Sequence, residues 1–501
     1  MRTKKTARNL ITSTILTTII ALIGLVKIKV FLSCLGDETT GIYQLFSQIL
    51  SYISLVDAGL TSSLLYSLYK PISENNTKKV NQILKGGRNF YNRIAFIIII
   101  IGVLLSFKID FFLAEYTLKF SYIQICFILF IIASALNYFV TSRKVVLEAK
   151  QNLYKVHLVV YTTMIAKGIL EIILLKLGFN LMSLMILFII ISIIQNIIIV
   201  IVSNRDYPEL SYDVEPDNSF KKETKNLIVQ KIASIIFNNI DVILISKFIN
   251  SSSVVIYTSY IYIVNSLQNV LKKIGSSSLA SVGNLLTGEK EKARSIFNEY
   301  NSMCFYIASL VCVPLLIVIT PFVSIFYGAS YTLSYFGSLC VVIILFFKVI
   351  EIPLDVYNSA LGYFDKIKNC VIIQSILNLG LSLLLLFRMG IEGVLFATII
   401  AYIFGEFLLY PNILNKNFFK DKKINYYSSS LKLAIIAVIS YIILYIGTKN
   451  IIVNNLFDWF ILGVVCFIIN FVIITVYYKL IKADAFFDRI INLVKERRNS
   501  V

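Results

Sequence analysis

Solid apolar runs of about twenty residues recur along the whole chain, and no other feature limits its fold so severely. At 1.5 Å rise per residue, a helix of about 20 residues crosses the roughly 30 Å of a bilayer's hydrocarbon core. Stretches such as Phe96–Leu105 and Phe188–Val202 contain no charge at all. No water is available there to pair with an open strand's backbone, so each run must close its hydrogen bonds within a helix. A β-barrel would instead show short alternating segments. The expected class is an all-α integral membrane protein. Composition agrees: 57% of residues are hydrophobic and only 15% are Asp, Glu, Lys or Arg, against about a quarter in a soluble protein.

Set against the charged breaks, the runs give fourteen expected transmembrane spans, near 10–33, 41–66, 92–112, 120–140, 156–177, 180–203, 227–248, 254–282, 302–326, 337–361, 370–388, 391–413, 431–448 and 456–480. Lysine and arginine fall 34 to 6 in favour of both termini and the even-numbered connections. Cytoplasmic loops carry such an excess, so both ends are expected to face the cytoplasm, in the cytoplasmic (inner) membrane. The basic start followed by an apolar run resembles a signal peptide, but the run is long and has no cleavage motif, so a retained first span is expected.

The net charge of +19 raises the question of nucleic acid. Its distribution over alternate loops, with no RNP-like aromatic box, zinc finger or helix-turn-helix spacing, argues against that partner. The cysteines are scattered without a CxxC pair, and His157 is the single histidine. Neither a zinc site, a disulfide framework nor histidine catalysis is suggested. There is no Walker A loop, GxSxG or HExxH motif, and no long outside loop, so neither ATP-driven work nor an enzyme is expected.

The longest break, 204–226, is polar and separates six spans from six, with two more at the C-terminus. Residues 67–96 and 281–309 each give a polar turn, a basic amphipathic stretch and an aromatic pair, Phe90-Tyr91 and Phe305-Tyr306. LEAKQNLYKVHLV (147–159) and NSALGYFDKIKNCV (358–371) are also alike. Such internal symmetry marks transporters built from two repeats. The expected organisation is a lobe over 1–205, a cytoplasmic linker over 206–226, a second lobe over 227–415, and spans thirteen and fourteen with a basic tail over 416–501.

TARNLITS before the first span, LGDETTGIYQLFSQILSYISLVDAGLTSSLLYSLYKPI (35–72), VLEAKQNLYKV (146–156) and GIEGVLFATIIAY (390–402) carry a resemblance. Through them the chain resembles, over essentially its whole length, the polysaccharide and O-antigen flippases of the multidrug/oligosaccharidyl-lipid/polysaccharide exporter superfamily. The resemblance implies two six-helix lobes related by a pseudo-two-fold axis around a V-shaped cavity, cycling by alternating access. It implies a polyprenyl-diphosphate-linked oligosaccharide repeat unit as cargo, moved to the outer leaflet for O-antigen or capsule synthesis. Membrane lipids, a polysaccharide polymerase and chain-length machinery are the implied partners. No cofactor is expected beyond a proton or cation gradient. The alternatives are a multidrug or lipid II exporter of the same fold, and a membrane polymerase.

Charges inside the spans are the candidate site residues, because an ionisable group at mid-bilayer costs about 2.5–3.5 kcal/mol on insertion scales and normally faces a wet or paired environment. Lys167 and Glu171 lie at i, i+4 and can pair on one face. Lys348, Glu351 and Asp355 fall on one helical stripe, with Lys348 the preferred cargo contact. Lys272, Lys273 and Lys27 are further candidates for the anionic diphosphate. Glu351, Asp355, Glu171, Asp57 and Asp241 are candidates for coupling or charge balance. Opposed to this stands an interhelical role in which the charges pair and never meet cargo.

Overall fold

The computed structural model describes residues 2–54, 60–220, 225–286, 290–420, 423–483 and 486–487, and every regular element among them is helical. The chain separates into two compact units, 1–258 and 259–501. The first holds α1 (Arg2–Ile53), α2 (Leu60–Ser73), α3 (Thr77–Ser106), α4 (Phe120–Leu136), α5 (Thr141–Ala149), α6 (Leu153–Lys176), α7 (Leu181–Asp206), α8 (Lys225–Phe248) and the start of α9 (Ser251–Leu286). The second continues with α10 (Lys290–Phe326), α11 (Tyr335–Ile350), α12 (Ile352–Ala360), α13 (Phe364–Tyr402), α14 (Tyr410–Leu414), α15 (Lys423–Thr448) and α16 (Leu456–Leu480). π-helical stretches flank α14, at Ile403–Leu409 and Asn415–Phe419.

Nine helices among the described residues are long and apolar enough to cross a membrane. Asp365–Phe419 holds two of the expected spans, 370–388 and 391–413, while Thr14–Ile53 holds most of the first and only the first half of the second, which is expected over 41–66 and ends on α2. The joint is a single glycine in left-handed backbone, Gly36 (φ 80°) in α1 and Gly390 (φ 57°) in α13, where a Cβ would be strained. Expected spans seven and eight fall on α8 and α9. Span ten is not one helix but two: Glu351 caps α11, and Pro353 opens α12, where its missing N–H costs nothing. Side-chain N-caps fix other starts, such as Asn180 accepting from the Ser183 N–H and Ser334 from the Gly337 N–H.

Packing inside each unit follows from which face of each helix is apolar. In the first, α1 lies along α6 and α8, and α4 along α3 and α7. Phe46 of α1 and Phe127 of α4 meet at 5.1 Å between ring centroids, both fully buried. In the second, α10 is the hub for α11, α15 and α16. Outward faces remain apolar: Ile186, Ile190, Ile193, Ile197 and Ile201 form an exposed stripe on α7. A stripe of that kind is at home only against hydrocarbon.

The segment after α7 is strapped onto the first unit. Lys79 Nζ lies 2.8 Å from Asp217 Oδ2, the Asp217 N–H donates to the Gln82 carbonyl, and Asn81 Nδ2 donates to the Glu209 carbonyl. Arg88 stacks over Tyr212 and Lys150 over Tyr207. Gly86 is required at this contact, since a Cβ there would come within 2.0 Å of the Asp217 carbonyl oxygen. Partial burial alone would push the Asp217 carboxyl up; hydrogen bonds from Lys79 and the Ser219 N–H outweigh it and hold the group below its ordinary value. A carboxyl depressed on folding contributes stability at neutral pH and loses it as pH falls through its folded value. Gly86→Val and Asp217→Asn should therefore each speed cleavage of native protein by a glutamate-specific protease at Glu209 and Glu215. In the parent, amide exchange of 207–219 should rise only in acid, below the ordinary aspartate range of about 3.9. Unchanged cleavage in both variants would show that the strap is held elsewhere.

Candidate functional site

The first unit's charge cluster joins α1 to α6. Glu171 is fully buried, with Lys27 Nζ 2.6 Å from one carboxylate oxygen and Lys167 Nζ 3.7 Å from the other. The expected i, i+4 pair exists, but the closer partner comes from another helix. Lys27 also donates to Tyr43 OH at 3.2 Å and stands 4.9 Å from the ring centres of Phe31 and Tyr43. Lys167 sits 3.3 Å from the centre of the Phe188 ring. Two ammonium groups around one carboxylate leave a single positive charge in excess, eased by aromatic faces.

The second unit gathers more acid than base. Lys272 Nζ lies 3.5 Å from Glu351 Oε1, at the α11–α12 joint. Asp355, one turn later, feels both Glu351 and Lys272. Glu406 accepts from Gln374 Nε2 at 3.1 Å and stands close enough to Glu351 to feel its charge. The narrow space beside them, lined also by Phe347, Phe407 and Tyr426, has no room for a water molecule. Among the described residues no group of three or more His, Cys, Asp or Glu is arranged to hold a metal ion.

Lys348 is buried, and its ammonium donates to Asn265 Oδ1 of α9 at 2.9 Å. Lys272 of α9 is a cation drawn against Glu351 and Asp355. Lys273 is half-buried beside it. Asp241 of α8 is buried and accepts from Tyr257 OH at 2.7 Å, an interhelical contact within the first unit. Asp57 lies outside the described residues.

Glu406 and Gln374 escaped the sequence reading. Glu406 was open to the rule that selected the others, being an acid inside the expected span 391–413. Its setting was not: it lies on the π-helical stretch, a distortion frequent at functional sites. Gly405 lets Gln374 approach there, since a Cβ would meet the Gln374 amide carbon at 2.7 Å.

Removing one member of a buried ion pair strands the other, at a cost of about 3–5 kcal/mol. Glu171→Gln should lower the melting temperature in detergent, and adding Lys27→Met should recover part of the loss. A Glu171→Gln protein as stable as the parent would show that both lysines are well solvated.

Residues 41–335 match the family described as polysaccharide biosynthesis protein. No curated protein matches the chain. Among solved structures, the chain is similar to one described as lipid II flippase MurJ in an inward closed conformation, with TM-score 0.71 and 18% identity over 94% of this chain and 99% of that one. It is also similar to an inward-facing multidrug resistance MATE family transporter of the MOP superfamily, with TM-score 0.65 and 12% identity over 80% of this chain and 96% of that one. An outward-facing structure of that kind gives TM-score 0.57 and 13% identity over 84% and 97%. At these identities the likeness is one of fold alone. With more than half its length inside the family match and apolar helices along both units, the chain is a multi-pass membrane protein that belongs to the polysaccharide biosynthesis protein family.

Proposed function

We propose that the protein is a flippase that carries a polyprenyl-diphosphate-linked oligosaccharide repeat unit from the cytoplasmic to the outer leaflet of the cytoplasmic membrane, by alternating access, for O-antigen or capsule synthesis. The observation that carries this reading is buried cationic charge inside apolar helices of a chain from a polysaccharide biosynthesis family: Lys348 held by a neutral amide, and the Lys27–Lys167 pair sharing one carboxylate. An exporter of cationic drugs gains nothing from such charge, whereas a diphosphate crossing hydrocarbon needs it. Lipid II also carries a diphosphate, so this argument does not separate it from a polysaccharide precursor; the family match favours the latter. A polysaccharide polymerase and chain-length proteins would take the product.

The coupling element in this reading is the dry Glu351–Glu406 pair with Asp355 and Lys272, which can take up or release a proton as the cycle proceeds. Fourteen spans with cytoplasmic termini, and lobes over 1–205 and 227–415, complete the proposal. A repeated joint supports the two-lobe part. After α5, N–H groups of residues 150, 151 and 152 bond to carbonyls of 146, 148 and 147. After α12, residues 361, 362 and 363 bond to 357, 359 and 358 in the same pattern, each shifted by the same interval. Both are Schellman-type closures of nine-residue helices leading into a long one.

Lys348→Ala should stop surface polysaccharide while membrane abundance is unchanged, and lipid-linked repeat units should accumulate on the inner leaflet. Lys348→Arg should retain part of the activity, and Glu406→Gln should flatten the dependence of transport on an imposed pH gradient. Wild-type polysaccharide in well-expressed Lys348→Ala cells would remove that residue from the mechanism. Arrested peptidoglycan with intact polysaccharide, on depletion of the protein, would transfer the cargo assignment to lipid II. Reporter fusions after Asn250, Ala329 and Lys449 should read outside and those after Lys79, Asp217 and Lys422 inside; a C-terminus mapped outside would refute the span count.

A further inference from the structure

A cavity of about 430 Å³ opens in the second unit among the start of α10, the π-helical stretch after α14, the start of α15 and the end of α16. Arg294, Lys432 and Lys482 line it, and none of its described lining residues is acidic. Lys432 begins one apolar run and Lys482 follows another, which puts both at headgroup depth. Phe419 and Tyr426 add aromatic rings to the wall. Asn301, also in the wall, is only 5% exposed, so the cations rather than the amide meet whatever enters the cavity.

The complementary ligand carries a phosphate for the cations. It must also reach this depth from the bilayer, and the exposed side chains of Leu431 and Leu480 provide apolar surface on α15 and α16 for an acyl chain. We propose that the cavity holds the headgroup of an anionic glycerophospholipid, of the phosphatidylglycerol type, as a resident lipid of the cytoplasmic leaflet. Basic pockets between transmembrane helices on that side suit such headgroups. The site is independent of the cargo, so it stands or falls separately from the flippase reading.

The test is native mass spectrometry with thermal melting of the purified full chain in detergent. Added phosphatidylglycerol should give a persistent adduct and raise the melting temperature, and phosphatidylcholine should do neither. The triple variant Arg294→Gln, Lys432→Gln, Lys482→Gln should bind phosphatidylglycerol on the order of a hundredfold more weakly, at about a factor of five per surface charge. Should the triple variant fold poorly, Lys432→Gln alone should show about one fivefold step, and Lys432→Arg with Lys482→Arg should bind as the parent does. Unaltered phosphatidylglycerol binding in a folded triple variant would overturn the proposal. So would equal protection by glycerol phosphate or inorganic diphosphate, which would make the occupant a soluble anion or the cargo's own headgroup.

Discussion

Water's absence from the hydrocarbon core governs this molecule. A backbone amide there must be satisfied by its own helix, so every described element is helical, and turns between helices are compressed to single glycines at Gly36 and Gly390. The same constraint acts on side chains. Glu171, Lys348 and Glu406 are held in place because each has a partner that water would otherwise supply: two ammonium groups, an asparagine oxygen, a glutamine amide. Apolar packing gives the units their bulk, and the buried charges give them particular contacts that only one helix arrangement satisfies.

The two clusters differ in sign and in chemistry. Around Glu171 the excess is cationic and the surroundings aromatic, suited to fixing an α1–α6 contact while leaving positive potential nearby. Around Glu351 the excess is acidic, with Glu406 and Asp355 close enough to act on one another's charge and a single ammonium, Lys272, against them. A stripe drawn along one helix could not show this, because the cation beside Glu351 comes from α9 and the second carboxyl from the π-helical stretch.

What could be read in advance follows the range of each interaction along the chain. Helix formation in lipid is local, so apolar run lengths were enough for the all-helical class and for the position of most helices. The α11–α12 break was within reach, since Pro353 cannot continue a hydrogen-bonded helix, yet the run looked continuous because every other residue suited hydrocarbon. Lys27 and Glu171 are 144 positions apart, and nothing local to either announces the other. Glu406 was visible as an acid in an apolar run, while its partnership with Gln374 depended on Gly405 and on a helical distortion with no simple sequence mark. The strap over 207–220 reads as an ordinary polar connector, because its partners on α3, Lys79 for Asp217 and Arg88 for Tyr212, lie far away along the chain and other contacts use backbone carbonyls that any residue carries.

The tight packing around Glu351 and Glu406 has a kinetic corollary. Protons travel along chains of water, and the space beside the carboxyl pair admits none, so that route to the pair is closed. Exchange along it must wait until Phe347, Phe407 or Tyr426 moves far enough to let the first water enter. The aromatic wall is therefore a wetting valve on that side of the pair, opened by the breathing of three rings.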